Sequence, residues 1–236
     1  MSVWICIPSI RPGGGTLPEW KARGYKVAVL RQGDPFPEAD ITIRTDKYLG
    51  WAESVNLTVK TVMILDKEAE WFVAGGDDTL PDPDHTPEQI AAECRAHFYG
   101  RLFPTAIIPD PGFATFGVMQ PTGDLKHWNS AIDKFAGSPW MGRAWCRRAF
   151  GGRGPIWPEF HHMFGDEHLQ RCAEKLGVFW QRPDLTHKHM HALRPGSRER
   201  QVGDPALFGR KHWDESARLF RRLETGGFKE AEELAA

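Results

Sequence analysis

Gly75-Gly76-Asp77-Asp78-Thr79-Leu80-Pro81 ends the apolar run Trp71-Phe72-Val73-Ala74 with two adjacent carboxylates. Neighbouring carboxylates repel each other unless a cation or a network of donors holds them. Strand-end carboxylates combined with substrate phosphates are a common cradle for a divalent ion, so the pair is a candidate metal site. A solvated Asp-Asp turn is the plain alternative; the buried-type strand before the pair and the proline-stiffened turn after it favour the metal. A second acidic set, Gly165-Asp166-Glu167-His168-Leu169, opens a helical pattern. Carboxylates there are stabilised by the helix dipole, so Asp166 is either an ordinary first-turn residue or a general base facing a cleft. A third set, Thr186-His187-Lys188-His189-Met190-His191, puts three imidazoles on one face if the segment is a strand. Three in register suit a metal or a phosphate better than a lone histidine does.

The elements that must position these groups follow from apolar spacing. Val3–Ile7, Tyr25–Leu30, Ile41–Arg44 and the run at Trp71–Ala74 read as strands. Leu17–Arg23 and Ala52–Leu65 read as helices, the second with Val55, Val59, Val62 and Met63 at helical spacing. This alternation predicts an open α/β sheet with a mainly parallel half. Two aspartates at the carboxyl end of one of its strands then stand where such sheets bind ligands. Thr86-Pro87-Glu88-Gln89 starts a further helix running to about Phe98. Thr105–Pro109 and Ala114–Met119 read as short strands, Trp140–Phe150 and Asp166–Leu176 as helices, and Val178–Trp180 and Leu185–His191 as strands. His212–Leu223 is amphipathic, with Trp213, Ala217, Phe220 and Leu223 on one side and arginines on the other.

Composition restricts the class. A chain of 236 residues can hold one large domain or two small ones. No stretch approaches the roughly 18 consecutive apolar residues of a membrane span, so no membrane partner is expected. Met1–Pro8 has no basic leader and reads as a first strand rather than a signal peptide. Cys6, Cys94, Cys146 and Cys172 are scattered, the usage expected of reduced thiols in a cytoplasmic protein. Net charge is −1, but basic residues outnumber acidic ones from Arg143 onward, through Arg147, Arg148, Arg153, Arg194, Arg198 and Arg200. A solvated surface explains that excess as well as a polyanionic partner does.

Taken together, these segments resemble a glycosyltransferase of the GT-A type, closest to the family 2-like enzymes, over Val3 to about His191. Cys6-Ile7-Pro8-Ser9-Ile10-Arg11 resembles the strand and loop where such enzymes begin their nucleotide pocket. Leu49-Gly50-Trp51-Ala52-Glu53-Ser54-Val55-Asn56 resembles the segment lining the nucleobase and ribose site. Gly75–Pro83 resembles the Asp-x-Asp metal motif, but with Gly at its first position, so only Asp78, assisted by Asp77, carries over as ligand of Mn²⁺ or Mg²⁺. Asp166-Glu167 resembles the acidic pair that holds the base of inverting members, and His189 or His191 the late histidine that completes the metal shell. The resemblance implies a GT-A, Rossmann-like open mixed sheet flanked by helices in a single domain. Residues 1–100 would form the nucleotide-sugar half, 101–195 the acceptor half and 196–236 a helical tail.

It also implies a nucleotide-sugar donor, a UDP-sugar first, positioned by Pro8, Ser9, Arg11, Asp34, Asp46, Trp51, Asn56 and Asp77. Gly117–Asp124 and Ser138–Arg148 are similar to segments of bacteriophage-encoded members, some of which glycosylate hydroxymethylated bases in viral DNA. That points to modified DNA as acceptor, with a polysaccharide or glycoconjugate as the alternative. In a different class, a metal-dependent phosphodiesterase or nuclease could be built from the same Asp and His groups, and would hydrolyse without a sugar donor. A non-catalytic nucleic-acid binder would lean on the basic carboxyl-terminal region, against which the near-neutral net charge argues.

Overall fold

The first strand, β1 (Ser2–Pro8), is buried along Val3–Ile7, as a central strand covered on both faces must be. The computed structural model describes residues 1–11, 13–102, 114–124, 137–190 and 210–234. In chain order the strands are β1, β2 (Lys26–Arg31), β3 (Ile41–Arg44), β4 (Ala69–Val73), β5 (Thr79–Leu80), β6 (Val118–Pro121), β7 (Trp140–Gly142), β8 (Phe179–Arg182) and β9 (Lys188–His189). The helices are α1 (Leu17–Ala22), α2 (Trp51–Leu65), α3 (Pro87–Leu102), α4 (Arg143–Gly152), α5 (Gly165–Lys175) and α6 (Arg210–Thr225), followed by a 3-10 helix, Lys229–Leu234. Among the described residues no helix is long and apolar enough to cross a membrane.

The chain is α/β, built on a seven-stranded mixed sheet in the order β3-β2-β1-β4-β7-β6-β8. Every pairing is parallel except those of β7, which runs against both β4 and β6. A separate two-stranded ribbon joins β5 to β9. From β1 the chain winds outward through β2 to β3, then returns to lay β4 on the other side of β1. The strand order therefore reverses between β1 and β4, and the carboxyl ends of those two strands flank the crevice where doubly wound sheets take ligands.

α2 packs on β1 and β2, α3 on β1, and α4 on β4 and β7. Trp20, Trp71, Trp140 and Trp145 are all fully buried between these layers. The abundance of tryptophan is therefore in large part core volume.

The expected alternation of strands and helices through Val73 is present, with ends differing by a residue or two. Three later expectations need correcting, the first being Ala114–Met119, where only Val118 and Met119 are strand. Trp140–Gly142 is a buried strand rather than the first turn of a helix; the helix begins at Arg143 after an extended Gly142. A Cβ on Gly142 would meet the Thr115 carbonyl oxygen at 1.9 Å, so only glycine lets that strand end pass so close. α4 itself is broken at Ala149–Gly151, where Phe150 takes a left-handed backbone (φ 51°) while its ring stays 1 % exposed. In the third correction, Leu185–His191 is not a continuous strand, because only Lys188–His189 pairs. The strand expected at 105–109, His191, Arg194, Arg198 and Arg200 lie outside the described residues.

Candidate active site

At the carboxyl end of β4 the two aspartates point to different partners. Ser9, buried just past β1, donates from Oγ to Asp77 Oδ2 at 2.6 Å, and Arg11 Nε lies 3.1 Å from Oδ1. The glycine loop after Arg11 folds back on the same point, with Thr16 N–H donating to the Asp77 carbonyl at 2.9 Å. Gly15 has φ +63°, and a Cβ there would fall 1.9 Å from that carbonyl oxygen. Burial raises the Asp77 carboxyl above the ordinary range and Asp78 pushes the same way, while Ser9 and Arg11 act against both. A donor network of the kind adjacent carboxylates require holds Asp77, which ties β1 to β4.

Asp78 turns toward the ribbon. β5 and β9 pair Thr79 with His189, and Met190 N–H donates to the Asp78 carbonyl at 2.7 Å. This register brings His189 Nε2 to 3.2 Å from Asp78 Oδ1. Asp124 Oδ2 accepts the His189 N–H at 3.1 Å and fixes that strand end. A Cβ on Gly76 would stand 2.4 Å from Asp78 Oδ1, so glycine at 76 leaves the carboxylate its position. Cis ligands of an octahedral ion at about 2.1 Å are about 3.0 Å apart, close to the Asp78–His189 separation. A half-exposed imidazole and a carboxylate therefore fit a shared divalent cation.

His187 does something else. Trp140 Nε1 donates to its Nε2 at 3.4 Å and its Nδ1 meets Ser138 Oγ at 2.7 Å, which assigns the proton to Nδ1. Burial pushes it down to about 3, against a small upward pull from Asp82. It is a neutral core residue packed edge-on against Trp20. His187 and His189 therefore have different surroundings, the first in the tryptophan core and the second beside Asp78.

The chain matches no family model and no curated protein.

Trp51 joins this strand end to the second acidic set. Its Nε1 donates to the Gly75 carbonyl at 3.0 Å, and a Cβ on Gly165 would lie 3.3 Å from the far edge of the same indole. Asp166 follows Gly165 in the first turn of α5, so the Trp51 indole lies between that turn and the exit of β4. Burial raises its carboxyl above the usual range, against the hydrogen bond from Glu167 N–H at 2.9 Å. A partly buried carboxylate with raised basicity suits a general base. The Glu167 carboxyl is also raised, by burial first.

The remaining expected nucleotide contacts divide. Pro8 is half-buried at the end of β1, beside Ser9 and Arg11, whereas Asp34 and Asp46 are exposed in the loops leaving β2 and β3. Trp51 is 8 % exposed and acts as a wall. Asn56 is used up elsewhere: Nδ2 donates to the Ile156 carbonyl at 2.7 Å and Oδ1 accepts the Ile156 N–H at 3.0 Å. Its amide is a tie between α2 and the loop leading to α5. Trp51 N–H to the His161 carbonyl, at 2.6 Å, and Tyr48 Oη to His162 Nδ1, at 2.8 Å, are further ties of the same loop.

One residue at the site escaped sequence reasoning. Arg31, at the carboxyl end of β2, is 6 % exposed; Nη2 donates to the Arg11 carbonyl at 3.3 Å, while Nε and Nη1 have no hydrogen-bond partner among the described residues. The only signal available was a cation closing an apolar strand.

Proposed function

We propose that this chain is a metal-dependent, inverting glycosyltransferase that moves a sugar from a nucleotide-sugar donor, a UDP-sugar first, to an acceptor hydroxyl. The observation that carries the reading is the 3.2 Å contact of Asp78 with His189 at the point where the strand order reverses. A GT-A sheet is the finer description of the fold that goes with it. Asp78 and His189 would hold Mn²⁺ or Mg²⁺, and an ion so held neutralises charge on the departing nucleoside diphosphate.

The chain's own residues supply the rest. The Ser9–Asp77–Arg11 network holds the β1 exit loop against the β4 exit, giving one wall of a donor pocket. Arg31, buried with two nitrogens unpartnered among the described residues, favours an anionic or acceptor-rich ligand beside it. Asp166 would take the proton from the acceptor hydroxyl, its basicity raised by burial. As acceptor, a hydroxymethylated base in DNA is supported by Lys211, Arg218, Arg221 and Arg222, all exposed on α6, which suit a phosphodiester backbone.

The test is release of nucleoside diphosphate from a panel of nucleotide sugars, with DNA containing hydroxymethylated or plain bases as acceptor. The reading expects turnover that needs Mn²⁺ or Mg²⁺ and is abolished in Asp78→Ala. Turnover that persists with a chelator, or hydrolysis of phosphodiesters without any sugar donor, defeats it.

A further inference from the structure

Outside that site, α5 and the 3-10 helix enclose a second set of donor atoms. His168 and Cys172 lie one turn apart on α5, and Glu230 comes from the 3-10 helix; all three are buried. One ligand atom from each lies within 4.8 Å of the others. Cys172 Sγ is 3.5 Å from His168 Nε2, and Glu230 Oε1 is 2.6 Å from the same nitrogen. Around a tetrahedral ion with Zn–N and Zn–O near 2.1 Å and Zn–S near 2.3 Å, nitrogen and sulfur are about 3.6 Å apart and nitrogen and oxygen about 3.4 Å. The Cys172–His168 separation has that value, but Sγ also lies 3.9 Å from Nδ1, over the ring, so ligation turns the imidazole to bring its Nε2 lone pair onto the ion. The His168–Glu230 contact is a hydrogen bond and would open by less than about 1 Å on ligation.

The surroundings of the cluster are apolar. Rings of Phe150, Trp157, Phe160 and Phe228 all pack on the His168 imidazole, making an apolar shell. A carboxylate in such a shell is unfavourable unless a cation or several donors compensate it. Lys175, one turn from Cys172 on α5, directs its ammonium to the carbonyls of Gly227 and Phe228. A divalent ion bound by imidazole, thiolate and carboxylate compensates a carboxylate held in such a shell, and a thiolate selects a borderline ion over Mg²⁺ or Mn²⁺.

We propose that His168, Cys172 and Glu230 form a zinc-type site, distinct in chemistry from the hard-ligand pair Asp78–His189, that fastens the 3-10 helix to α5. The site needs neither donor nor acceptor, so it stands or falls independently of the proposed transferase activity.

The probe is Co²⁺ added to the metal-depleted full chain. We expect one equivalent with tetrahedral ligand-field absorption and a thiolate-to-Co²⁺ charge-transfer band, apart from any Co²⁺ taken up by Asp78 and His189, which carry no thiolate. Zn²⁺ displaces it; the band persists in Asp78→Ala and is lost in Cys172→Ser. Zn²⁺ alone raises the melting temperature of the wild type. Because Cys172→Ser is a core change that can unfold the chain, Glu230→Gln, which keeps an acceptor for His168, carries the test a second time. Its Co²⁺ affinity falls by more than about 100-fold, beyond what loss of an outer-shell partner costs. Absence of the charge-transfer band in the wild type overturns the proposal, as does a band that survives Cys172→Ser. Unchanged affinity in Glu230→Gln overturns it too, leaving a hydrogen-bonded His–Glu pair beside a core thiol.

Discussion

Asn56→Ala separates a structural tie from a ligand contact. In the structure the Asn56 amide makes two hydrogen bonds to one residue, Ile156, at 2.7 and 3.0 Å, in a site 6 % exposed. Removing it takes away two bonds of about 1 kcal/mol net each and strands a buried N–H and a buried C=O, at about 1–3 kcal/mol apiece without relaxation. With partial relaxation the loss should be about 2–4 kcal/mol. For a chain of this size that lowers the melting temperature by roughly 4–16 °C. The assay is urea unfolding followed by tryptophan fluorescence, reading the midpoint at constant slope. Asn56→Asp keeps the acceptor for the Ile156 N–H but not the donor, and should fall between the two. A variant that unfolds like the wild type yet binds nucleotide sugar more weakly would refute the reasoning and return Asn56 to the pocket wall.

Three further outcomes follow from the same geometry. Gly76→Ala places a methyl 2.4 Å from Asp78 Oδ1, so the carboxylate must swing away from His189. Mn²⁺ affinity by calorimetry should drop about tenfold or more while stability moves by less than about 1 kcal/mol; unchanged affinity would show that Asp78 is not held for a metal. Asp166→Asn should cut the turnover rate about 10²–10⁴-fold. Because burial raises the folded Asp166 above its unfolded value of about 3.9, the ionised form opposes folding, so the Asn variant gains relative stability as pH rises from about 4. For His187 the sign is reversed: held near 3 when folded and about 6.5 when unfolded, it is a proton sink only for the unfolded chain. Stability should therefore fall on acidification between those values, by up to about 1.4 kcal/mol per pH unit. His162, pushed by burial to about 4, adds to the fall. Denaturation midpoints of His187→Gln should flatten that slope; an unaltered slope contradicts a neutral, buried His187.

The parallel half of the sheet was legible because its strands, buried on both faces, read as unbroken apolar runs between polar loops, as in Val3–Ile7 and Val27–Leu30. β7 was not, since three residues ahead of a helix carry no periodicity, and Trp140 with Ala144 mimics a helical face. The acidic pair was legible as residue types at a strand end, but the division of labour within it was not. That division depends on Ser9 and Arg11, which reach Asp77 only once β1 and β4 are neighbours. Of the three histidines, His189 is brought to Asp78 by the β5–β9 register, which joins residues over a hundred positions apart; His191 lies outside the described residues. The Asn56 tie was not legible for the same reason: its partner is main chain, and main chain leaves no mark in a sequence. The His168–Cys172 spacing on a helix could have been noticed; Glu230, far along the chain, could not.

The most direct measurement of the central claim is calorimetric titration of UDP-sugars into the wild type and Asp78→Ala, each with Mn²⁺ and with chelator. The account predicts that the wild type binds a donor with Mn²⁺ and much more weakly in chelator, and that Asp78→Ala binds weakly in both. Tight binding that ignores both the metal and Asp78, or none to any nucleotide sugar under either condition, would contradict it.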